Sequence, residues 1–157
     1  MCMLLGCGKA QSSNSKMEFS KLSPEQEQRL DKQRDLVLST VRSRYGTVRL
    51  TRTKDDLAVL QRLVDDRVFT KEQTFELQSL GVAFGDVLAS ELGLHRELVT
   101  DDYGTDPVLR SGTAQVQVAA LSMISKRVED GKQVELHDLL DGVRDTLKEM
   151  KESWKYK

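Results

Sequence analysis

The chain has 157 residues but only two cysteines, Cys2 and Cys7, both within the first seven positions. The remainder therefore has no disulfide, no thiol nucleophile and no thiolate metal site, and suits either redox compartment. Histidine is as scarce. His95 and His137 are the only two, and neither has Cys or a second His at zinc-ligand spacing. Aromatic residues make up 5% and proline occurs twice, so a small aliphatic core under a solvated surface is expected. Apolar runs of eighteen residues are missing, so nothing in the chain as written spans a bilayer as a helix. A dominant charge sign is missing too. The net charge is −1, so no global field recruits nucleic acid, and no nucleic-acid partner is expected. The nucleophile-elbow, P-loop and dinucleotide glycine patterns do not occur.

What is present begins with an unusual start. Leu4-Leu5-Gly6-Cys7 resembles the lipobox of bacterial lipoproteins, in which the cysteine becomes the lipidated first residue of the mature chain. The polar run Gly8 to Lys16 that follows would serve as a tether. No basic segment precedes the apolar residues, so the expectation is that part of a signal peptide lies upstream of Met1. Residues 1–20 are read as signal remnant and flexible tether, and residues 21–157 as one domain. Cys7 is the lipidation candidate, and a lipid there is the one membrane contact expected. The alternative is an unanchored cytoplasmic protein whose hydrophobic N-terminus frays.

Charge is unevenly spread. Residues 1–53 carry ten Lys/Arg against five Asp/Glu, and residues 54–106 carry five against twelve. Basic and acidic segments are expected to face each other within the chain, or to join opposite patches of two copies. Ser23-Pro24-Glu25-Gln26 is a helix start, and Gly46 a stop. Thr47 to Thr51 alternates like a short extended segment. Thr53 and Asp56 open a second helix, and Thr70 and Gln73 form the next capping pair. The helix after them ends at Gly93 and holds Gly81 and Gly85 one turn apart. Each costs about 1 kcal/mol against Ala, which predicts close approach of another element at that face.

From Glu97 the pattern turns β-like. Glu97 to Thr100, Val108 to Arg110 and Ala114 to Val118 are read as a small antiparallel meander. Helices are expected over about 121–129 and 135–152. The last has the stripe Leu136, Leu139, Leu140, Val143, Leu147 and Met150, extending toward Trp154. The fold class is α+β: a mostly helical single domain with the meander between its N-terminal and C-terminal helices.

Tyr45-Gly46-Thr47, Leu60 to Asp66, Leu80 to Gly85 running on through Glu91 to Leu94, and Asp101 to Arg110 together resemble a mainly bacterial family, the domain of unknown function numbered 3806. The resemblance covers about residues 45 to 140. Arg96 stands where that family's pattern commonly has tryptophan. The resemblance implies the architecture and no established activity.

Asp101, Asp102 and Asp106 around Tyr103 are the densest cluster of polar candidates. Such carboxylates can bind Ca²⁺ or Mg²⁺. An EF-hand counted from Asp102, however, puts Gly104 at its third position and Thr113 at its twelfth, where a glutamate is needed. The simpler reading is a turn in which Asp102 bonds its own backbone and Gly104 takes positive φ. Arg42, Arg44, Arg49 and Arg52 flank Tyr45 as a conceivable phosphate patch, against a solvated surface pairing with the acidic middle. No catalytic residue, cofactor or metal ligand is assigned. The favoured reading is a non-catalytic interaction domain of an envelope lipoprotein. It would contact an unidentified protein partner through the meander, with Asp101, Asp102, Tyr103 and Asp106 as the candidates, or through the adjacent helix face. The alternatives are a hydrolase using residues 101–106 with His95, and a cytoplasmic binding or immunity-type protein.

Overall fold

The computed structural model describes residues 2–3, 16–47, 49–112 and 116–155, with the side chains of 2–3 and 154–155 left aside. Cys7, most of the tether, Ala114, Gln115 and the Trp154 side chain lie outside the described residues.

The first helix, α1 (Pro24–Tyr45), starts where the Ser23 hydroxyl accepts from the Gln26 amide at 3.2 Å and ends where Gly46 turns left-handed at φ 69°. The next stretch departs from the expected extended segment: the described residues of 47–51 form no strand. The buried Asp56 carboxylate instead accepts from the Thr51 amide and hydroxyl at 2.8 Å and from the Arg52 amide at 2.7 Å. Amides held by a side chain are not offered to a sheet. A 3-10 turn (Lys54–Asp56), capped by Thr53, leads into α2 (Leu57–Asp65).

The central element is α3 (Thr74–Leu92). Its residues from Ser79 to Leu88 are buried without interruption, so every face of that stretch meets protein. The Thr70 amide donates to Gln73 Oε1 at 2.9 Å, one half of the expected capping pair. Gly93, at φ 65°, ends the helix and passes the chain directly into strand β3 (Leu94–Asp101), three residues earlier than the β-like composition suggests.

Strand β4 (Gly104–Ser111) returns antiparallel, from Asp101↔Gly104 to Leu94↔Ser111. Two short strands from the N-terminal segment and one from downstream complete the sheet. They are β1 (Cys2–Met3), β2 (Glu18–Ser20) and β5 (Gln117–Val118), in the order β1-β5-β4-β3-β2. The joins β2–β3, β3–β4 and β4–β5 are antiparallel, and β1 is parallel to β5. Glu18–Ser20 are thus sheet residues rather than tether. Their short run offers no periodicity, and their partners lie about eighty residues away.

Helices α4 (Ala120–Glu129) and α5 (Leu136–Lys155) close the core. Leu136, Leu140, Val143 and Leu147 are the buried stripe of α5, with Leu139 and Met150 half-buried beside it. Gly81 permits the close approach that its cost implied. A methyl there would meet the Leu121 carbonyl and stand 2.7 Å from the Ala120 carbonyl oxygen. The architecture is a mostly helical α+β domain, its core between α3, the surrounding helices and one face of the sheet.

Candidate functional site

Two places concentrate polar chemistry. The first is the β3–β4 turn. Here Asp101, rather than Asp102, bonds the backbone: its Oδ1 accepts from the Tyr103 amide at 2.8 Å. A side chain two residues before the amide closes the usual Asx ring, and that places the acceptor on the last residue of β3. Gly104 sits at φ 131°, a conformation open to glycine. The Thr100 and Thr105 hydroxyls bond across the strands at 2.9 Å. The tip between them carries Asp102 and Tyr103, and Tyr103 is 98% exposed.

Asp101 and Asp106 lie back from the tip and line a 310 Å³ cleft with Met17, Val99, Val108 and Lys126. His95 does not line it. His95 and Asp101 are six residues apart on one strand, roughly 20 Å, and His95 pairs with Glu97 at 3.6 Å. His137 is exposed at the start of α5. The carboxylates and His95 are therefore not assembled as a catalytic group. Among the described residues no three His, Cys, Asp or Glu side chains converge as a metal site.

The conceivable phosphate patch around Tyr45 is split, and the pairing with the acidic middle is what two of its contacts follow. The Tyr45 hydroxyl donates to Asp66, and the Arg62 guanidinium lies 3.9 Å above its ring. Arg52 turns elsewhere, toward the second place, which spacing along the chain does not reveal.

That place is Asp86, a carboxylate on the buried helix α3 with 9% of its side chain exposed. Arg34 of α1 grips it with both ends of its fork, Nε to Oδ2 at 2.7 Å and Nη2 to Oδ1 at 2.9 Å. Arg96 of β3, 10% exposed, donates through Nη2 to Oδ1 at 3.0 Å and to the Val82 carbonyl at 2.9 Å. Gly85 leaves room for that guanidinium, since a methyl there would stand 2.8 Å from Arg96 Nη2. Arg52 approaches Oδ2 to 3.9 Å.

Burial pushes the Asp86 carboxyl up. The Arg34 hydrogen bonds and the Arg96 and Arg34 charges outweigh it and hold the group below the usual carboxylate range. The hydrogen bond to Asp86 holds the Arg34 guanidinium above its ordinary value. Burial pulls Arg96 below its own. Asp86 opposes that pull, and repulsion from Arg34 and Arg52 adds to it. A signal was present in the sequence: a charge within the apolar run Leu80 to Ala89, and an arginine at the same strand parity as Leu94 and Leu98.

The model of a domain of unknown function, DUF3806, matches residues 56–139. No curated protein matches the chain. A crystal structure from Bacteroides thetaiotaomicron VPI-5482 is similar, with a TM-score of 0.74 and 16% identity. The likeness covers 83% of this chain and 48% of that one, so the chain spans about half of that protein's length. At that identity the likeness concerns the fold alone.

Proposed function

The chain belongs to the DUF3806 family, and from that premise we propose that it is a non-catalytic protein-interaction module whose contact surface is the β3–β4 tip. The observation that carries this reading is Tyr103, an aromatic side chain left 98% exposed on a turn that Asp101 and Gly104 hold in shape. Exposed aromatics on ordered backbone supply large contact area with little conformational entropy to lose. Asp102 beside it and Asp101 and Asp106 behind it make the tip acidic. The complementary partner surface is an apolar pocket rimmed by Lys or Arg.

Capture of partners on residues 17–157 tests this. Tyr103→Ala should abolish capture, and Asp102→Lys should weaken it, with melting temperatures unchanged because neither side chain is buried. A captured partner indifferent to both substitutions would overturn the assignment.

Envelope anchoring through Cys7 belongs to the same proposal. It rests on Leu4-Leu5-Gly6-Cys7, the polar run after it and the cysteine-free remainder. Cleavage before Cys7 would also take β1 from its place beside β5. Expressed with the codons upstream of Met1 in a bacterial host, the wild type should take up a fatty-acid analogue and Cys7→Ser should not. Label on neither would remove the anchor from the reading.

A further inference from the structure

We propose that Arg52, together with the Arg34–Asp86–Arg96 cluster beside it, is a binding site for a phosphate group. Three guanidiniums converge on one carboxylate. Asp31, two-thirds exposed, offsets Arg34 from the solvent side at 2.9 Å. Two further carboxylates nearby accept from backbone amides rather than from these guanidiniums: Asp56 from Thr51 and Arg52, and Glu91 from Lys54 at 3.1 Å. Set against Asp86 and Asp31, the three guanidiniums keep a surplus of one positive charge, and a phosphate group, at about −1.5 to −2 near neutral pH, is the anion that such forks bind. Such an anion would also relieve the repulsion that Arg34 and Arg52 exert on the buried Arg96.

Arg52 gives the surplus its direction. Its side chain is 62% exposed, and its approach to Asp86 at 3.9 Å is too long for a hydrogen bond. Its donor fork therefore remains open beside a partly buried cationic floor. Its backbone stands at φ 60°, a conformation that costs a non-glycine residue energy and that Asp56 holds in place. Glycine or asparagine would occupy that position at lower cost. Guanidinium forks match phosphate oxygens in pairs.

The test is a melting-temperature titration of the full chain at constant ionic strength, adding inorganic phosphate or glycerol phosphate against chloride. The wild type should show a saturable rise. Arg52→Gly, which removes the fork and relieves the backbone, should fold normally and bind about ten-fold more weakly. Arg67→Gly is the matched control, because Arg67 also stands at positive φ, 50°, on a different loop. It should titrate like wild type. A stronger response to glycerol phosphate would assign the site to phosphate monoesters, and a stronger response to inorganic phosphate to the free ion. No saturable rise in the wild type, or an equal rise in Arg52→Gly, would overturn the proposal. Neither result bears on the Tyr103 surface.

Discussion

Asp86 shows how much one side chain can organise. It receives three hydrogen bonds from two arginines on different elements, inside the buried stretch of α3 from Ser79 to Leu88. Removing the carboxylate strands Arg96 in a site where its charge is largely desolvated. Asp86→Ala should therefore cost about 3–5 kcal/mol in chemical denaturation. The same group predicts the acid limb of stability. Its folded value lies below the unfolded one, so its contribution is complete above the unfolded carboxylate range, near pH 4, and is lost as pH falls through the folded value. A stability–pH profile of wild type against Asp86→Asn should differ in slope below about pH 4 and run parallel above about pH 5. Identical slopes would mean that the carboxylate is not preferentially stabilised in the native state. The anomaly of Asp86 was legible in the sequence; its partners were not. Arg34 lies 52 residues upstream and Arg96 ten downstream, and pairing across those distances depends on how helices and strand pack. The expected role of Asp102 missed for a smaller reason: the ring is closed by the residue one place earlier.

Elements whose signals are local were the readable ones. Ser23, Gly46 and Gly93 act where their chemistry predicted, because a cap involves residues within one turn. The two helical glycines were readable as a close approach, and the structure separates their roles. Gly81→Ala drives a methyl into backbone carbonyls at the start of α4, which cannot swing aside. The gain of about 1 kcal/mol in helix propensity should be overwhelmed, for a net loss of about 1–3 kcal/mol. Gly85→Ala meets the end of the Arg96 side chain and the Ala120 methyl at 3.1 Å. It should cost less than Gly81→Ala, and the reverse order in thermal melts would contradict this packing. In α5 the buried centre is Leu140, with Leu139 half-buried at its side. Leu140→Ala should cost about 2–5 kcal/mol, Leu139→Ala less, and the exposed Lys148→Ala no more than roughly 0.5 kcal/mol. Strands β1 and β2 escaped the reading because two or three residues carry no period, and their partners are far along the chain.

At the scale of the whole molecule, part of the charge asymmetry of the sequence is met by internal contacts. Arg34 and Arg52 of the basic first third meet Asp86 of the acidic middle, and Tyr45 meets Asp66. The folded unit is also wider than the family match. Helix α1 lies wholly before residue 56, yet its Val37 and Val41 are fully buried in the common core. Val143 and Leu147 of α5, after residue 139, belong to the same core. Strand β2 contributes less. It pairs with Leu98, Val99 and Thr100, and Phe19 lies 3.7 Å under the Arg110 guanidinium. These contacts rank three pieces of the chain. Residues 17–157 keep every one of them and should unfold cooperatively. Residues 21–157 lose the β2 pairing and the Phe19–Arg110 stack, a cation–π contact worth about 0.5–1 kcal/mol at a partly exposed site, so their melting temperature should fall while cooperativity survives. Residues 56–139 lose α1, all of α5 beyond its first turn and the Arg34 grip on Asp86, exposing the parts of α3 that pack on those two helices. That piece should show no cooperative melt in circular dichroism. A cooperative transition from it would mean that α1 covers a core already closed, and that the buried Asp86 is held by Arg96 alone.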